Sequence, residues 1–443
     1  MYTAEQPFSI IAYGFDRRAL SILGGEGLLG PYGVDPSQTA GLSRPPGYAI
    51  FLSAIYSISG RDFYSVQIVQ NFINSLSPVL IFLIAGIIVS WRVGAVSGFL
   101  AALSHHFSHI SNFVLPDSMA ALPILAGAAL IAFAFRCRNH AYWIYAASGA
   151  MFGLSVWLRP QAMLLAPFLA VIMSVVARRR QFVIKRVAVM ALTSFILIAP
   201  ITLRNYIVYG EFVPVSIGVG LNLWEGIGES SGDRFGAVAK DWQVADQEAI
   251  LYNNPDYAES WSSPDGVGRD RDRVKKSLRI ILENPLWYAG VMKNRMRDMT
   301  KYSAHAPLVF RRDQVKTETT LPVKKEWRTI APESPRLGIG ASLGWLRGPL
   351  RAIQRFIKEP MQFFVLFGLI VVALMSPGRA IWLIMMPLYY LLFQSFLHTE
   401  FRYTLPMQYF LFTFAAAFWY LLGAGVRRGI GLLMGMVRGG VEK

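Results

Sequence analysis

The 443 residues are 54% hydrophobic and only 16% charged, with a mean hydropathy of +0.39. A soluble domain carries roughly 25% charged residues, so this composition excludes an ordinary soluble protein and favours a chain that lies largely in lipid. The single cysteine, Cys137, excludes an internal disulfide framework and a cysteine-based zinc site. The net charge of +16 comes from basic residues beside hydrophobic segments, which favours contact with lipid headgroups and argues against nucleic acid as a partner.

Residues 1–65 precede any segment long enough to cross a bilayer, and we expect them to form an extracytoplasmic first loop. Residues 45–60, PPGYAIFLSAIYSISG, are apolar but short for a span. Their two prolines suit the first turn of a helix, so the segment predicts a juxtamembrane helix along the membrane surface. The opening residues do not form a signal peptide. We therefore expect a first transmembrane helix to be missing; alternatively, residues 45–60 cross the membrane.

Nine later segments approach the length of about 20 apolar residues that a spanning helix needs. Inside a bilayer the backbone must satisfy its own hydrogen bonds, so each of these segments predicts a helix. Six spans are expected within residues 66–203 and three within residues 361–443. The predicted spans are residues 66–90, 94–112, 118–135, 141–157, 161–177, 184–203, 362–376, 380–397 and 404–425. The predicted fold class is an all-α integral membrane protein with about nine transmembrane helices.

Basic residues in the short loops predict the orientation of these helices. The richest short loop is residues 177–186, ARRRQFVIKR, which the positive-inside rule places in the cytoplasm. The basic tail after residue 427 then lies in the cytoplasm, and the long loop at residues 204–360 is extracytoplasmic. In this loop, residues 270–299 have apolar positions at helical spacing, interrupted by Pro285, which predicts a pair of amphipathic interfacial helices. Residues 225–268, rich in Gly, Ser, Asp and Glu, predict an irregular loop.

Four short motifs fall on the same predicted face: SRPPGYAIFL, VLPDSMAALP, the stretch at residues 198–228, and HTEFRYTLP. They contain Arg44, Asp117, Arg204 and Arg402. A single arginine at a membrane boundary most simply contacts lipid phosphates. Several arginines converging from separate helices instead predict one phosphate site at headgroup depth, because the guanidinium fork matches phosphate oxygens. The histidines of HHFSH, residues 105–109, lack carboxylates at fixed spacing, so we predict no metal site there.

These motifs resemble a known family. The resemblance lies in RPPGYAIFLSAIY, GAMFGLSVWLRPQAMLL, APITLRNYIVYGEFVPVS, GLNLWEG and RYTLP. They are similar to signature stretches of the dolichyl-phosphate-mannose-protein mannosyltransferase-like family, in the GT-C class of glycosyltransferases that includes the bacterial aminoarabinose transferase of lipid A. The resemblance extends from about residue 15 to 425. It implies a donor sugar linked to polyprenyl phosphate, an extracytoplasmic lipid, polysaccharide or protein acceptor, transfer with inversion, and the inner membrane of a bacterium. Whether a divalent cation is required stays open.

The resemblance also implies roles for individual residues. Arg44, Arg204 and Arg402 occupy the basic positions of the family and are assigned to the donor phosphate. Asp117 matches an acidic position at the mouth of a span and is expected to bind substrate, orienting the acceptor or a metal. Because these residues come from distant parts of the chain, we expect them to line one outer cavity.

Two aromatic residues and one acid complete the expected site. Tyr403 and Trp224 are expected to stack on sugar or isoprenoid. The catalytic base is assigned to Asp16 in FDRRALSILGGEGL, the acid nearest to the position where the family has one. The family's acid lies about four residues before the aromatic, where this chain has Ile11. That departure leaves an inactive family member as an alternative.

A transporter or flippase for a lipid-linked sugar is the second alternative. Transporters tend to contain inverted repeats and helices broken at the membrane midplane. No internal repeat is evident, and the polar motifs lie at one face, so the sequence favours the glycosyltransferase.

Overall fold

The computed structural model describes residues 10–26, 37–135, 141–176, 180–301, 345, 348–349, 352–353, 360–375, 377–398 and 400–440. All regular elements in these ranges are helical, and the α-helices are numbered here in chain order. The first ten are α1 (Ile10–Ser21), α2 (Gly47–Ser59), α3 (Phe63–Asn74), α4 (Leu76–Ile88), α5 (Trp91–Ala102), α6 (His105–Ser111), α7 (Pro116–Ala134), α8 (Ala141–Leu158), α9 (Leu165–Val176) and α10 (Arg180–Tyr209). The others are α11 (Val219–Ser231), α12 (Asp241–Leu251), α13 (Gly266–Glu283), α14 (Pro285–Met299), α15 (Met361–Met375), α16 (Pro377–Ser395) and α17 (Leu405–Gly440).

Four helical segments of the described chain are long and apolar enough to cross a bilayer. They are Phe63–Ile88, Pro116–Ala134, Val183–Tyr209 and Phe401–Ala424. Shorter apolar helices occur at Gly47–Ser59, Pro160–Val176, Met361–Met375 and Ala380–Ser395. The predicted class, an all-α membrane protein, is confirmed. One predicted helix differs: residues 94–112 are divided between α5 and α6, because the Ser104 hydroxyl accepts a hydrogen bond from the backbone N–H of Phe107 and caps a new helix.

Small residues bring α7, α8 and α10 close together. Gly149 of α8 lies against the backbone carbonyl of Met190 in α10, where any Cβ would overlap that oxygen. On the α7 side, the Ser148 hydroxyl donates to the carbonyl oxygen of Gly127 at 2.9 Å. Small residues at such contacts allow membrane helices to pack backbone to backbone. The start of α7 and the end of α8 therefore meet at one end of the bundle, which we name the loop face.

The first described helices form an apolar unit beside this end. The segment predicted to be helical at residues 45–60 is confirmed as the helix α2, which packs against α1. Buried aromatic side chains of this unit include Phe15 and Tyr48, whose rings meet edge to face with centroids 5.2 Å apart. The α3 helix begins where the Asp62 side chain accepts two backbone N–H groups. The predicted position of α2 along the membrane surface stays a prediction.

Helices α11 to α14 form most of the described part of the long loop. The prediction of an irregular loop over residues 225–268 was wrong, because most of α11 and all of α12 lie within it. A buried ion network explains the order: Glu248 of α12 accepts from Arg269 at 2.7 Å and from Arg273 at 2.6 Å, and all three side chains are at most 7% exposed. The predicted helix pair is confirmed, since α13 ends at Glu283 and α14 begins at Pro285, whose missing N–H suits a first turn.

The predicted orientation has a direct test by cysteine labelling. After Cys137→Ser, we expect Lys240→Cys to react with an impermeant maleimide in intact cells and Gly440→Cys to react only after the cells are opened. Lys240 is exposed just before α12, so its reactivity reports the side of the membrane and not burial. Labelling of position 440 but not of position 240 in intact cells would invert the topology.

Candidate functional site

An ion pair joins α7 and α8 at the loop face. Arg159 follows the last residue of α8, and its Nη2 lies 2.6 Å and 2.5 Å from the two carboxylate oxygens of Asp117, at the start of α7. The Asp117 side chain is 1% exposed. A buried carboxylate requires such a partner, since an unpaired charge is costly to bury. Arg159 was not among the predicted site residues, although it lies in a stretch that carries the family resemblance.

Tyr403 connects this ion pair to Arg402. The Cζ atoms of Arg159 and Arg402 lie 5.3 Å and 5.0 Å from the centre of the Tyr403 ring, and Arg402 Nη2 also donates to the Tyr403 hydroxyl at 3.2 Å. Arg402 is 5% exposed and forms an ion pair with Glu400, in which Nε and Oε2 are 2.5 Å apart. Its Nη1 is buried and has no hydrogen-bond acceptor in the described ranges. That nitrogen is a donor available to a bound anion.

Arg44 is the third guanidinium of this group. It is half-buried, lies 5.3 Å from the centre of the Phe15 ring, and is pressed against Gly14 of α1. Burial and then the positive charge of Arg159 lower the pKa of Arg44 to about 10. No hydrogen-bond acceptor or ion-pair partner for Arg44 occurs within the part of the chain that the structure describes. We name Arg44, Arg159 and Arg402 the arginine cluster.

Arg204 belongs to a neighbouring pair of arginines. Its Nη1 and the Nη1 of Arg18 lie 3.5 Å and 3.1 Å from the backbone oxygen of Gly41, and its guanidinium lies over the Tyr209 ring. Burial and then the charge of Arg204 lower the pKa of Arg18 to about 10. Gly14, which contacts Arg44, lies one turn before Arg18 on the same face of α1. The two groups of arginines are therefore adjacent along α1. Arg18 was not among the predicted site residues, although it lies in the stretch FDRRALSILGGEGL that contains Asp16.

Asp16 lies on a different face of α1. A side chain two residues from Gly14 or Arg18 points about 200° away around a helix, since each residue turns by about 100°. Asp16 is 1% exposed; its Oδ1 accepts from the Tyr56 hydroxyl at 2.9 Å and its Oδ2 from Arg61 Nη2 at 2.6 Å. Its assignment as catalytic base stays a prediction, and in this geometry the role would require Arg61 to move.

Trp224 lies within the ordered long loop. Its Nε1 donates to the Gln247 side chain at 2.9 Å, and its ring packs against the apolar cluster of α11, α13 and α14. The structure thus brings Arg44, Asp117, Arg402 and Tyr403 together and places Arg204 beside them. The expected stacking of Trp224 on substrate stays a prediction.

Acidic side chains surround a histidine immediately before Arg402. The Nδ1 of His398 lies 2.9 Å from Glu229 and its Nε2 lies 3.5 Å from Glu400. Burial opposes protonation of the ring, but the hydrogen bonds to these carboxylates raise the pKa of His398 to about 10. Burial raises the pKa of the nearby Glu225 to about 8. We name Glu225, Glu229, His398 and Glu400 the loop acid cluster. None of them was predicted, although Glu225, His398 and Glu400 lie within the motifs GLNLWEG and HTEFRYTLP.

Metal binding is not evident at this site. No group of three His, Cys, Asp or Glu side chains with the geometry to hold a metal ion occurs in the described ranges. In the HHFSH stretch, the ring of His106 packs against Phe401 with centroids 5.4 Å apart. The requirement for a divalent cation stays open.

An apolar groove of about 500 Å³ lies along the outer part of α10. Leu203 and Tyr206 line it from one face of α10, together with Ala199 and Thr202. Phe195, Phe212 and Pro214 also line it. The exposed fractions of Leu203 and Tyr206 are both 59%, so the groove opens away from the protein interior.

Part of the chain matches a model of a known protein family. Residues 43–203, which include Arg44, Asp117 and Arg159, match the family described as dolichyl-phosphate-mannose-protein mannosyltransferase. This match covers 161 of the 443 residues, so the chain is similar to this family over about a third of its length. The resemblance predicted from the motifs is thereby confirmed. No curated protein matches the sequence.

Two solved structures of an archaeal oligosaccharyltransferase are similar to this chain in fold. The archaeal oligosaccharyltransferase AglB from Archaeoglobus fulgidus, in complex with an inhibitory peptide and a dolichol-phosphate, is similar with a TM-score of 0.51 and 13% identity over 98% of this chain and 48% of that one. The Archaeoglobus fulgidus oligosaccharyltransferase in the apo form has a TM-score of 0.50 and 12% identity over 97% of this chain and 48% of that chain. For ArnT from Cupriavidus metallidurans in the apo state, the TM-score is 0.35 and the identity 14%, over 92% of this chain and 71% of that chain. The chain thus spans about half the length of the AglB chains.

Proposed function

We propose that this chain transfers a sugar from a polyprenyl-phosphate donor to an acceptor hydroxyl on the extracytoplasmic face, with inversion at the anomeric carbon. The observation that carries the proposal is the arginine cluster, in which Arg44 and Nη1 of Arg402 have no acceptor in the described chain. Guanidinium donors held in place at the membrane boundary are suited to a phosphate that is attached to a lipid.

The arginines would act on the leaving group. The acceptor oxygen attacks the anomeric carbon, the bond from that carbon to the phosphate oxygen breaks, and the electron pair stays on the phosphate. Negative charge therefore grows on the phosphate during the step. Fixed cationic donors stabilise such charge in a site that excludes water, and they require no rearrangement at the moment of reaction. In this proposal Arg44 and Arg402 hold the phosphate, and Asp117 holds Arg159 in place.

The groove along α10 supports a lipid-linked donor. Its apolar lining suits an isoprenoid chain. The AglB structure with dolichol-phosphate supports the same class of ligand, because that protein shares this fold. The acceptor stays undefined.

A transfer assay in lipid nanodiscs tests the proposal. We would supply the full chain with a panel of undecaprenyl-phosphate and dolichyl-phosphate sugars and measure release of the lipid phosphate together with the sugar-bearing product. We expect turnover with at least one donor. In proteoliposomes, movement of the donors across the bilayer without cleavage of the sugar–phosphate bond would instead favour the transporter.

Arg44→Ala separates binding of the phosphate from folding. Arg44 has no intramolecular acceptor in the described chain, so its loss should leave the melting temperature unchanged while weakening undecaprenyl phosphate binding by about tenfold or more, as expected for a lost charged hydrogen bond of about 1.5–3 kcal/mol. Native mass spectrometry measures the binding. Arg271→Ala, which removes an exposed arginine paired with Glu211, is the matched control and should bind like the wild type. Equal binding by Arg44→Ala would remove Arg44 from the phosphate site.

A further inference from the structure

The transfer reaction proposed above needs a group to accept the proton of the acceptor hydroxyl. General bases are placed within hydrogen-bond reach of that proton and titrate near the working pH. Asp16 lies on the far face of α1 and is already bound by Arg61 and Tyr56. An unoccupied carboxyl group on the same side as the arginine cluster would fit the role better.

Glu225 is a buried carboxyl group in the loop acid cluster, which adjoins the arginine cluster through Glu400. It lies on α11, is 8% exposed, and has neither a hydrogen-bond nor an ion-pair partner in the described ranges. The charged groups that act on it come from three directions: His398 and Glu400 from the segment before Arg402, Asp241 from the start of α12, and Glu229 from its own helix. A buried carboxyl without a partner inside such a cluster is costly unless a ligand uses it.

The position of Glu225 relative to the arginines is fixed by the backbone. The N–H of His398 donates to the carbonyl oxygen of Asn222 at 2.9 Å. Arg295 of α14 bridges α11 and the same segment, since it donates to the carbonyl oxygens of Gly226 and Leu397. This segment continues into Arg402, whose guanidinium is paired with Glu400. The loop acid cluster therefore directly adjoins the arginine cluster.

Asp241 gives an independent link between the two clusters. Its charge is close enough to shift the pKa of both Arg44 and Glu225. Glu225 thus lies on the side of the arginine cluster where Glu400 pairs with Arg402. A sugar whose phosphate contacts Arg402 would extend from it toward the loop acid cluster.

We propose that Glu225 is the general base of the transfer reaction. The inference rests on the proposed function. Its ionised carboxylate takes the proton from the acceptor hydroxyl as the oxygen attacks the anomeric carbon, and the phosphate leaves with the electron pair. The proton ends on Glu225 and is released to water afterwards. Burial first, and then its acidic neighbours, raise the pKa of Glu225 to about 8, while the charge of His398 opposes this rise. The transfer rate should therefore increase with pH through about 8.

Two measurements on the full chain in nanodiscs test the base. An infrared titration should show a protonated carboxyl band that disappears with a midpoint near pH 8 and is absent from Glu225→Gln. In the donor panel, Glu225→Gln should lower transfer by about 10²-fold or more, the usual contribution of a general base, while undecaprenyl phosphate binding stays within twofold of wild type. Glu283→Gln, at an exposed position of α13, is the matched control and should change neither the transfer rate nor the binding of undecaprenyl phosphate.

His398→Gln should move the midpoint of the pH–rate profile to higher pH, because it removes the positive charge that favours the ionised form of Glu225.

The outcomes distinguish a failure of Glu225 as the general base from a failure of the proposed transferase function. Transfer by Glu225→Gln at the wild-type rate, or a wild-type protein without the infrared band, would overturn the role of Glu225 and leave the transferase standing. A wild-type chain that neither binds undecaprenyl phosphate nor transfers any sugar would overturn the proposed function, and the base with it. Glu225→Asp, which keeps the carboxylate on a shorter side chain, should retain more activity than Glu225→Gln. An equal loss of transfer activity in Glu225→Asp and Glu225→Gln, together with a lowered melting temperature, would show that Glu225 has a structural role instead.

Discussion

Arg402→Ala should abolish sugar transfer, with a loss of at least about 10²–10³-fold. That range is the usual cost of removing one fixed donor from charge that develops in a transition state. Arg402 is 5% exposed and its guanidinium packs over the Tyr403 ring, so its position is fixed before any ligand binds. Its Nη1 has no acceptor in the described chain and is available to the phosphate. Arg402→Lys should recover only part of the activity, because an ammonium group lacks the planar fork. The measurements are turnover with the donor panel and binding of undecaprenyl phosphate.

Loss of Arg402 also leaves Glu400 without its ion-pair partner, so a second variant is needed to interpret the result. Glu400→Gln breaks the same ion pair and keeps the guanidinium, and it should retain undecaprenyl phosphate binding. Arg92→Ala, at an exposed position at the start of α5, is the control for loss of a charge at a membrane boundary. Arg204→Ala is expected to reduce transfer in the same way as Arg402→Ala. Wild-type turnover in both of these alanine variants would reduce the two arginines to lipid anchors.

Glu248→Ala should weaken the packing of α12 against α13 in the long loop. It would remove the carboxylate that pairs with both Arg269 and Arg273, which are 3% and 2% exposed, and would leave Arg273 only its longer pair with Asp270 at 3.7 Å. Breaking a buried ion pair in this way costs about 3–5 kcal/mol. Hydrogen–deuterium exchange should therefore show a lower free energy of local opening across α12 and α13 by this amount. Because Asp270 of α13 accepts from the backbone N–H of Leu221 in α11, we also expect α11 to lose protection.

Glu211→Ala is the matched control for this effect. It removes a carboxylate that pairs with Arg271 at 2.9 Å on the surface of the same region, where the two side chains are 44% and 53% exposed. Surface pairs contribute about 0–1 kcal/mol, so amide protection in α13 should hardly change. Unchanged protection in Glu248→Ala would mean that the apolar cluster of α11, α13 and α14 holds the loop without the ion network.

The membrane class of this protein and its family resemblance were predictable from the sequence. Long apolar segments have few structures available to them in lipid, since only helices satisfy the backbone there. Prolines also act locally, which explains why the break at Pro285 and the helix at residues 45–60 were found. The arginines in Pro- and Tyr-containing motifs indicated a polar site, because charge at a membrane boundary needs a partner.

Other features depended on contacts between distant residues. The network of Glu248 with Arg269 and Arg273 stabilises the helix α12 in a segment whose composition predicts an irregular loop. The composition of that segment does not reveal the network, because the two arginines belong to α13. The pairing of Asp117 with Arg159, and the position of Tyr403 between two guanidiniums, depend on how α7, α8 and α17 meet at the loop face. The sequence by itself determined the apolar helices and which residues carry charge. Only the tertiary structure decided that Asp16 faces Arg61 and that Glu225 lies beside His398 and Glu400. The direction of a side chain follows from the packing of its helix against its neighbours.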